Sequence, residues 1–348
     1  MDIIIGIDPH KGSHTAVALD EAGQVLGELR VTAGKHQIRE LQTFAEPWPG
    51  RRWAVEGANG LGRLLAQQLI AAGEPVTDVP ATLSARVRLL SGGSARKSDS
   101  HDARSTAIAA LHGRQLRQVG PEDVTVVLRM LSDRRDQLAA SRNRIVCRLH
   151  NHLRHLRPGG AALHLTADQA SRLLQGIRPQ GVVAVQRKQL ARELVTDLRK
   201  IDKQLVDIDA RIVEAVTASR TTLTDIVGIG PILAATIIGH AGDVSRFPSR
   251  AHFASYAGTA PIEASSGDVS RHRPSRRGNR RLNAAIHMVV LSQLSHTSPG
   301  RIYVDRRLTE GKSRREAMRA LKRQLCNVIY RHLLADAAAT LTEVTAAA

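Results

Sequence analysis

Asp2-Ile-Ile-Ile-Gly-Ile-Asp8 is the stretch on which the fold turns. An unbroken, isoleucine-rich apolar run of this length predicts a strand buried on both faces. The run ends on a carboxylate. Asp8 then falls at the C-terminal tip of its strand, where open α/β sheets carry their reactive groups. Two more acidic segments point to the same place. Arg52-Trp-Ala-Val-Glu56 is a second short apolar run that ends on an acid. Lys97-Ser-Asp99-Ser-His-Asp102-Ala103 carries two aspartates at i and i+3 beside a helical pattern, so both can face one way. A single strand-end aspartate is ordinarily a turn residue or a cap. Three such placements in one domain favour a shared site.

Around this stretch, residues 1–118 read as α/β. Thr15-Ala-Val-Ala-Leu19 and Gln24-Val-Leu-Gly-Glu-Leu-Arg-Val31 predict strands joined by the turn Asp20-Glu-Ala-Gly23. With the first strand they form an antiparallel meander. Leu41 and Phe44 belong to a short helix, and Pro47-Trp-Pro-Gly50 leads into the strand that ends on Glu56. Leu61 to Ala72 is helical by period, Gly73 ends it, and Pro75-Val-Thr-Asp-Val79 is another strand. The order β-β-β-α-β-α-β-α, with acids at the first and fourth strand tips, is the ribonuclease-H-like pattern.

The chain then changes character. Val124, Leu128, Leu131, Leu138, Ile145, Leu149 and Leu156 follow a 4-3 spacing broken by Arg135, Arg142 and His152, and Pro158-Gly-Gly160 ends that helix. Leu194, Leu198, Ile201, Leu205, Ile208, Ile212 and Ala215 keep the spacing for three heptads. The two seams can pair with each other or with a second copy of the chain. Residues 119–218 are therefore expected to be a coiled-coil or helical linker domain, and 219–348 a helical C-terminal domain.

The 348 residues include 50 Lys+Arg against 32 Asp+Glu, a formal net charge of +18. That excess points to a polyanionic partner, most simply nucleic acid. Aromatic residues are only 2%, so phosphate contacts by arginine, with steep salt dependence, are expected over base stacking. Two cysteines, Cys147 and Cys326, offer neither metal-ligand spacing nor a disulfide framework. No apolar run is long enough to span a membrane, and the first residues are too short and too acidic for a signal peptide. A bacterial cytoplasmic, nucleoid-associated location is expected.

The basic excess is concentrated from Ser219 onward, where 19 Lys+Arg face 9 Asp+Glu. Val227-Gly228-Ile-Gly230-Pro231 reads as a Gly-rich turn of the helix-hairpin-helix kind. Its backbone N–H groups at a helix start would cradle a phosphate. Further on, Ser265-Ser266-Gly267 precedes Arg271, Arg273, Arg276, Arg277, Arg280 and Arg281. A serine hydroxyl in such a field could attack a phosphodiester while the cations stabilise developing charge. The plain alternative is a phosphate-holding patch with no catalytic part. Lys11 is a candidate phosphate contact, and Arg301 to Lys322 a candidate nucleic-acid face. His150, His152 and His155 do not share one helix face, so metal ligation there is not expected.

Taken together, Gly6-Ile-Asp8-Pro-His-Lys11, Val55-Glu56-Gly57, Lys97-Ser-Asp99-Ser-His-Asp102-Ala103, Val227-Gly-Ile-Gly-Pro231 and Ala257-Gly-Thr-Ala-Pro261 through Ser266-Gly267 to Arg277-Gly-Asn-Arg280 resemble the DEDD transposases of the insertion-sequence-110 family, nearly end to end. The resemblance implies a RuvC-like nuclease domain, a coiled-coil bridge and a C-terminal transposase domain. It implies that Asp8, Glu56, Asp99 and Asp102 hold Mg²⁺ or Mn²⁺, and that Ser266 forms a covalent 5′-phosphoserine link with DNA. Ser265 stands beside it as the other candidate. Thr259 and Ala260 depart from the commoner Leu-Thr before the proline. The resemblance further implies a structured bridge RNA that selects donor and target DNA. It also implies assembly as a dimer, or a tetramer on DNA, in which the nuclease domain of one protomer meets the transposase domain of another. The implied activity is excision and insertion of a mobile element. A site-specific invertase of the same fold, or a hydrolytic junction nuclease, is the alternative.

Overall fold

The computed structural model describes residues 3–90, 98–113, 116–263, 272–274 and 278–347. The chain divides into two compact units, Met1–Glu122 and Asp123–Ala348.

The first unit is built on a six-stranded sheet. Strands β1 (Ile3–Pro9), β2 (Ser13–Leu19) and β3 (Val25–Thr32) form the antiparallel meander. The Asp20–Gln24 turn closes through Gly23 N–H donating to Asp20 O at 3.0 Å and Gln24 N–H donating to Asp20 Oδ1 at 2.8 Å. Gly23 takes φ +79° there, a conformation glycine adopts without penalty. After α1 (Gln37–Ala45), β4 (Arg51–Glu56) returns parallel to β1. After α2 (Arg63–Ala71), β5 (Val76–Val79) pairs parallel to β4. Helices α3 (Ala81–Leu90) and α4 (Asp99–His112) follow, and β6 (Arg117–Gln118) pairs antiparallel to β5. The sheet order is β3-β2-β1-β4-β5-β6. With β1 central and one antiparallel hairpin beside it, this is the ribonuclease-H-like arrangement that the sequence pattern predicts.

β1 is buried along its whole length, and its two faces feed two cores. Ile3, Ile5 and Ile7 join Trp53, Val55, Leu41, Leu65 and Leu69 under α1 and α2. Ile4 joins Val17, Ala54, Val79, Ala103 and Ala107 under α4. The period-2 alternation of a strand therefore puts Gly6 and Asp8 on the α4 side, with Ile4. Under the sheet, Glu74 binds the Arg51 guanidinium through both oxygens at 2.5 and 3.1 Å and accepts from Trp53 Nε1 at 2.7 Å.

In the second unit, α5 (Val124–Leu156) and α7 (Val182–Ala218) pack against each other within the one chain. They run antiparallel. Arg135 Nε donates to Asp209 Oδ1 at 2.7 Å and Arg142 Nε to Asp202 Oδ1 at 2.6 Å. A step of seven residues up one helix is thus a step of seven down the other. The arginines that interrupt the apolar seam are its cross-links. Helix α6 (Ala167–Gly176) covers one end of the pair with Ala170 and Leu174 against Leu149, Leu153, Ala191 and Val195.

At the other end, Leu128, Leu131, Leu138, Ile208, Ile212 and Val216 merge with the C-terminal helices into one core. Those helices are α8 (Pro231–Ala241), α9 (Arg250–Tyr256), α10 (Arg280–Ser295), α11 (Pro299–Thr309) and α12 (Arg314–Ala347). Phe253 stacks on Tyr330 with ring centroids 5.4 Å apart, and the Tyr330 hydroxyl donates to Phe247 O at 2.8 Å. The C-terminal part is not wholly helical. Strands β7 (Pro261–Glu263) and β8 (His272–Pro274) form a two-stranded antiparallel sheet. Three-residue strands carry too few alternating positions to register as a sequence pattern. Among the described residues no helix is long and apolar enough to cross a membrane.

Candidate active site

Sheet register fixes the first two acids. Ile7 is paired with Val55 across the parallel β1–β4 ladder, so Asp8 and Glu56 are the next residues on adjacent strands. Neighbouring strands are about 4.8 Å apart, and the shared parity of Asp8 with Ile4 and of Glu56 with Ala54 turns both carboxylates toward α4.

Helix α4 brings the second pair. Ser98 caps it by accepting from His101 N–H at 3.3 Å, which starts the helix at Asp99 and puts Asp99 and Asp102 in its first turn. The backbone dipole favours carboxylates there. What holds this end at the strand tips is the close approach of α4 to Gly6. A Cβ on residue 6 would lie 2.3 Å from Ala103 O and 2.5 Å from Ala107 N. Only glycine lets the helix lie directly on β1.

The result is a crowded set of acids. Asp8 is 8% exposed, and its Oδ2 is buried without a hydrogen-bond partner among the described residues. Burial is the largest effect on its carboxyl, raising its pKa from 3.8 to about 6, and the charges of Glu56, Asp102 and Asp99 push the same way. His10 opposes them, with Nδ1 3.5 Å from Asp8 Oδ2. Asp102 is engaged by the Arg88 guanidinium of α3. Glu56 Oε2 lies 3.2 Å from the Thr106 hydroxyl, and Asp99 lies 3.6 Å from Arg30. Carboxylates brought together in this way want a cation between them. Asp8, His10 and Asp99 each offer a ligand atom, all within 4.8 Å of one another. The orphaned Asp8 oxygen and this donor set fit a divalent ion.

The other sequence-predicted residues are distributed as follows. Lys11 is exposed in the β1–β2 turn. Gly228 has φ +89°, and a Cβ there would lie 3.0 Å from Ser292 Cβ, so this glycine lets the hairpin pack on α10. Gly230 caps α8 with Pro231 as its first helical residue. Arg273 is in β8, Arg280 opens α10, and Arg281 is paired with Asp136. Ser265, Ser266, Gly267, Arg271, Arg276 and Arg277 lie outside the described residues. Four residues at the acids were not singled out from sequence: His10, Arg30, Arg88 and Thr106. His10 had a signal, because it sits two residues beyond Asp8 and so shares its side of an extended chain. Arg88 and Thr106 had none, since helix packing alone delivers them.

Residues 5–158 match the DEDD transposase model of the IS110 group, described as Transposase, and residues 220–305 match Transposase IS116/IS110/IS902 family. The chain is 29% identical over 376 residues to the uncharacterized 44.8 kDa protein of insertion element IS116 from Streptomyces clavuligerus, covering 94% of each chain. It is 28% identical over 398 residues to the uncharacterized 42 kDa protein of insertion element IS900 from Mycobacterium paratuberculosis, covering 99% of this chain and 98% of the other. Among solved structures it is similar to RuvC from Thermus thermophilus in complex with a Holliday junction substrate. That match has a TM-score of 0.27 and 17% identity over 34% of this chain and 100% of that one. The chain belongs to the IS110 family of DEDD transposases, and all four acids lie within the first matched segment.

Proposed function

We propose that this transposase excises and inserts a mobile element by cutting and rejoining DNA, with Asp8, Glu56, Asp99 and Asp102 as ligands of one or two Mg²⁺ or Mn²⁺ ions and Ser266 as nucleophile. The observation that carries this reading is the buried Oδ2 of Asp8, without a hydrogen-bond partner among the described residues, with three further acids close enough to raise its pKa. A bound divalent ion would neutralise the acids and stabilise charge on a phosphate's oxygens.

The chain's own groups do the rest. Asp8 offers its carboxylate as a ligand, Thr106 steadies Glu56, and Arg88 holds Asp102. Ser266 Oγ attacks phosphorus and loses its proton, and the bond to the 3′ oxygen breaks. The serine then carries the 5′ phosphate and the other strand end a 3′ hydroxyl. Attack by a new 3′ hydroxyl reverses the step and joins a different strand. Lys11, the Gly228–Gly230 turn and Arg271, Arg273, Arg276, Arg277, Arg280 and Arg281 hold phosphates.

In this reading residues 1–118 are the nuclease domain, 119–218 the helical bridge and 219–348 the transposase domain. A structured bridge RNA selects the DNA, and two protomers, or four on DNA, share their sites. The net charge of +18 supports nucleic-acid partners of both kinds.

The test incubates protein, RNA and end-labelled DNA with Mg²⁺ and separates the products under denaturing conditions. A covalent protein–DNA adduct is expected from the wild type and from Ser265→Ala, but not from Ser266→Ala. Asp8→Ala should abolish cleavage while RNA and DNA binding persist. Free nicked DNA with no adduct would replace this reading with a hydrolytic junction nuclease.

A further inference from the structure

Among the described residues, the group of ligand atoms that all lie within 4.8 Å of one another at the strand tips is not made of the four acids. These atoms belong to Asp8, His10 and Asp99. His10 follows Asp8 at i+2, and its backbone N–H donates to Ser13 O at 2.9 Å, closing the β1–β2 turn. Its Nδ1 is 3.5 Å from the Asp8 oxygen that has no hydrogen-bond partner. Two donors sharing an octahedral ion with bonds of about 2.1 Å lie roughly 3 Å apart when adjacent and roughly 4.2 Å apart when opposite. Separations within 4.8 Å are of that order. Asp102, by contrast, is already engaged by Arg88.

We propose that His10 supplies an imidazole nitrogen to the ion held by Asp8 and Asp99, making the site a mixed nitrogen–oxygen site that favours Mn²⁺ over Mg²⁺. Mg²⁺ is a hard ion that takes oxygen ligands and keeps its waters. Imidazole suits the first-row transition ions better, so a ring nitrogen in the ligand set shifts preference toward them. The alternative for His10 is an exposed ion-pair partner of Asp8, which would act on any divalent cation alike. The proposal rests on the metal-binding role given to the acids.

The test uses the full-length protein with Mn²⁺ and reads pulsed electron paramagnetic resonance, with no DNA and no turnover. A ¹⁴N coupling to Mn²⁺ is expected in the wild type and should vanish in His10→Ala. In titrations, His10→Ala should weaken Mn²⁺ about tenfold or more and Mg²⁺ less than about threefold. The wild-type spectrum needs no variant, so a misfolded mutant does not obscure the answer. Mn²⁺ bound in an Asp8-dependent way without nitrogen coupling would overturn the role of His10 and leave the acids standing. Equal loss of Mn²⁺ and Mg²⁺ in His10→Ala would overturn the selectivity. If no Mn²⁺ binds in an Asp8-dependent way, the metal reading of the acids falls, and this proposal with it.

Discussion

Asp8→Asn should make the metal-free protein more stable while removing its response to metal. Burial raises the pKa of Asp8 to about 6, against 3.8 in an exposed chain. A folded-state pKa above the unfolded one means the native protein holds its proton more tightly. Stability then falls as pH rises from about 4 to 6 and levels off above. The difference of about two units costs about 3 kcal/mol at pH 8 in the absence of metal. Asparagine keeps the shape and removes the charge, so the variant should recover most of that. For a unit of 122 residues this is a rise of roughly 10 °C in Tm. Both tryptophans, Trp48 and Trp53, lie in the first unit, so their fluorescence follows that unit alone. In EDTA at pH 8 the variant should melt later than the wild type. Mg²⁺ at about one hundred times its dissociation constant should stabilise the wild type by about 2.7 kcal/mol and leave the variant unmoved. A variant that melts earlier in EDTA, or one that still gains from Mg²⁺, would refute the picture of a buried acid waiting for a cation.

Gly6→Ala should push α4 off the sheet, because the added methyl would overlap Ala103 O. Loss of cleavage and a destabilisation of about 1–3 kcal/mol or more are expected by tryptophan fluorescence. Arg88→Gln should remove the cation that competes with the ion for Asp102 and raise Mg²⁺ affinity several-fold by titration, with metal-free stability reduced. Glu74→Gln should cost about 2–3 kcal/mol, since it leaves the partly buried Arg51 without its charge partner. Burial alone would raise the Glu74 carboxyl, but hydrogen bonds from Arg51 and Trp53 overcome it and hold it below the usual range. Its contribution is therefore present at neutral pH and lost on acidification through that lowered value, which an acid-unfolding curve of the two proteins would show. Reversing Arg142 to Asp and Asp202 to Arg should each destabilise the second unit, and the double reversal should recover most of the loss in a double-mutant cycle.

The first unit was legible because its signals are local. β1 is apolar from Ile3 to Ile7 since helices cover both its faces, and Asp8 and Glu56 near the ends of β1 and β4 are visible as breaks in the apolar runs. The helix-pair register was not legible. Arg135 and Arg142 looked like flaws in the seam of α5, and their meaning depends on Asp209 and Asp202, 74 and 60 positions away. Arg88 was invisible for the same reason, since nothing near it in sequence announces Asp102. The β7–β8 sheet was missed because its strands are shorter than any periodic signal. His10 was within reach of a parity argument, but a lone histidine in a turn is ordinarily a surface residue.

Two kinds of scaffold meet at the acids, and they constrain differently. Asp8 and Glu56 are fixed by the parallel ladder, whose register cannot slip by one residue without swapping the side chains of a strand between the two cores and turning its acid away from α4. Asp99 and Asp102 are held by a helix whose seat is a small-residue contact, Gly6 against Ala103 and Ala107. A helix on such a contact can slide along its axis more cheaply than a strand can shift register, because it breaks no ladder hydrogen bonds. The strand pair thus sets where a cation sits, and the seat of α4 sets how many of the four acids reach it. The pairing of Asp102 with Arg88 is what such a division of labour gives without an ion, with the helix end satisfied by a side-chain cation and the strand-tip acid left waiting.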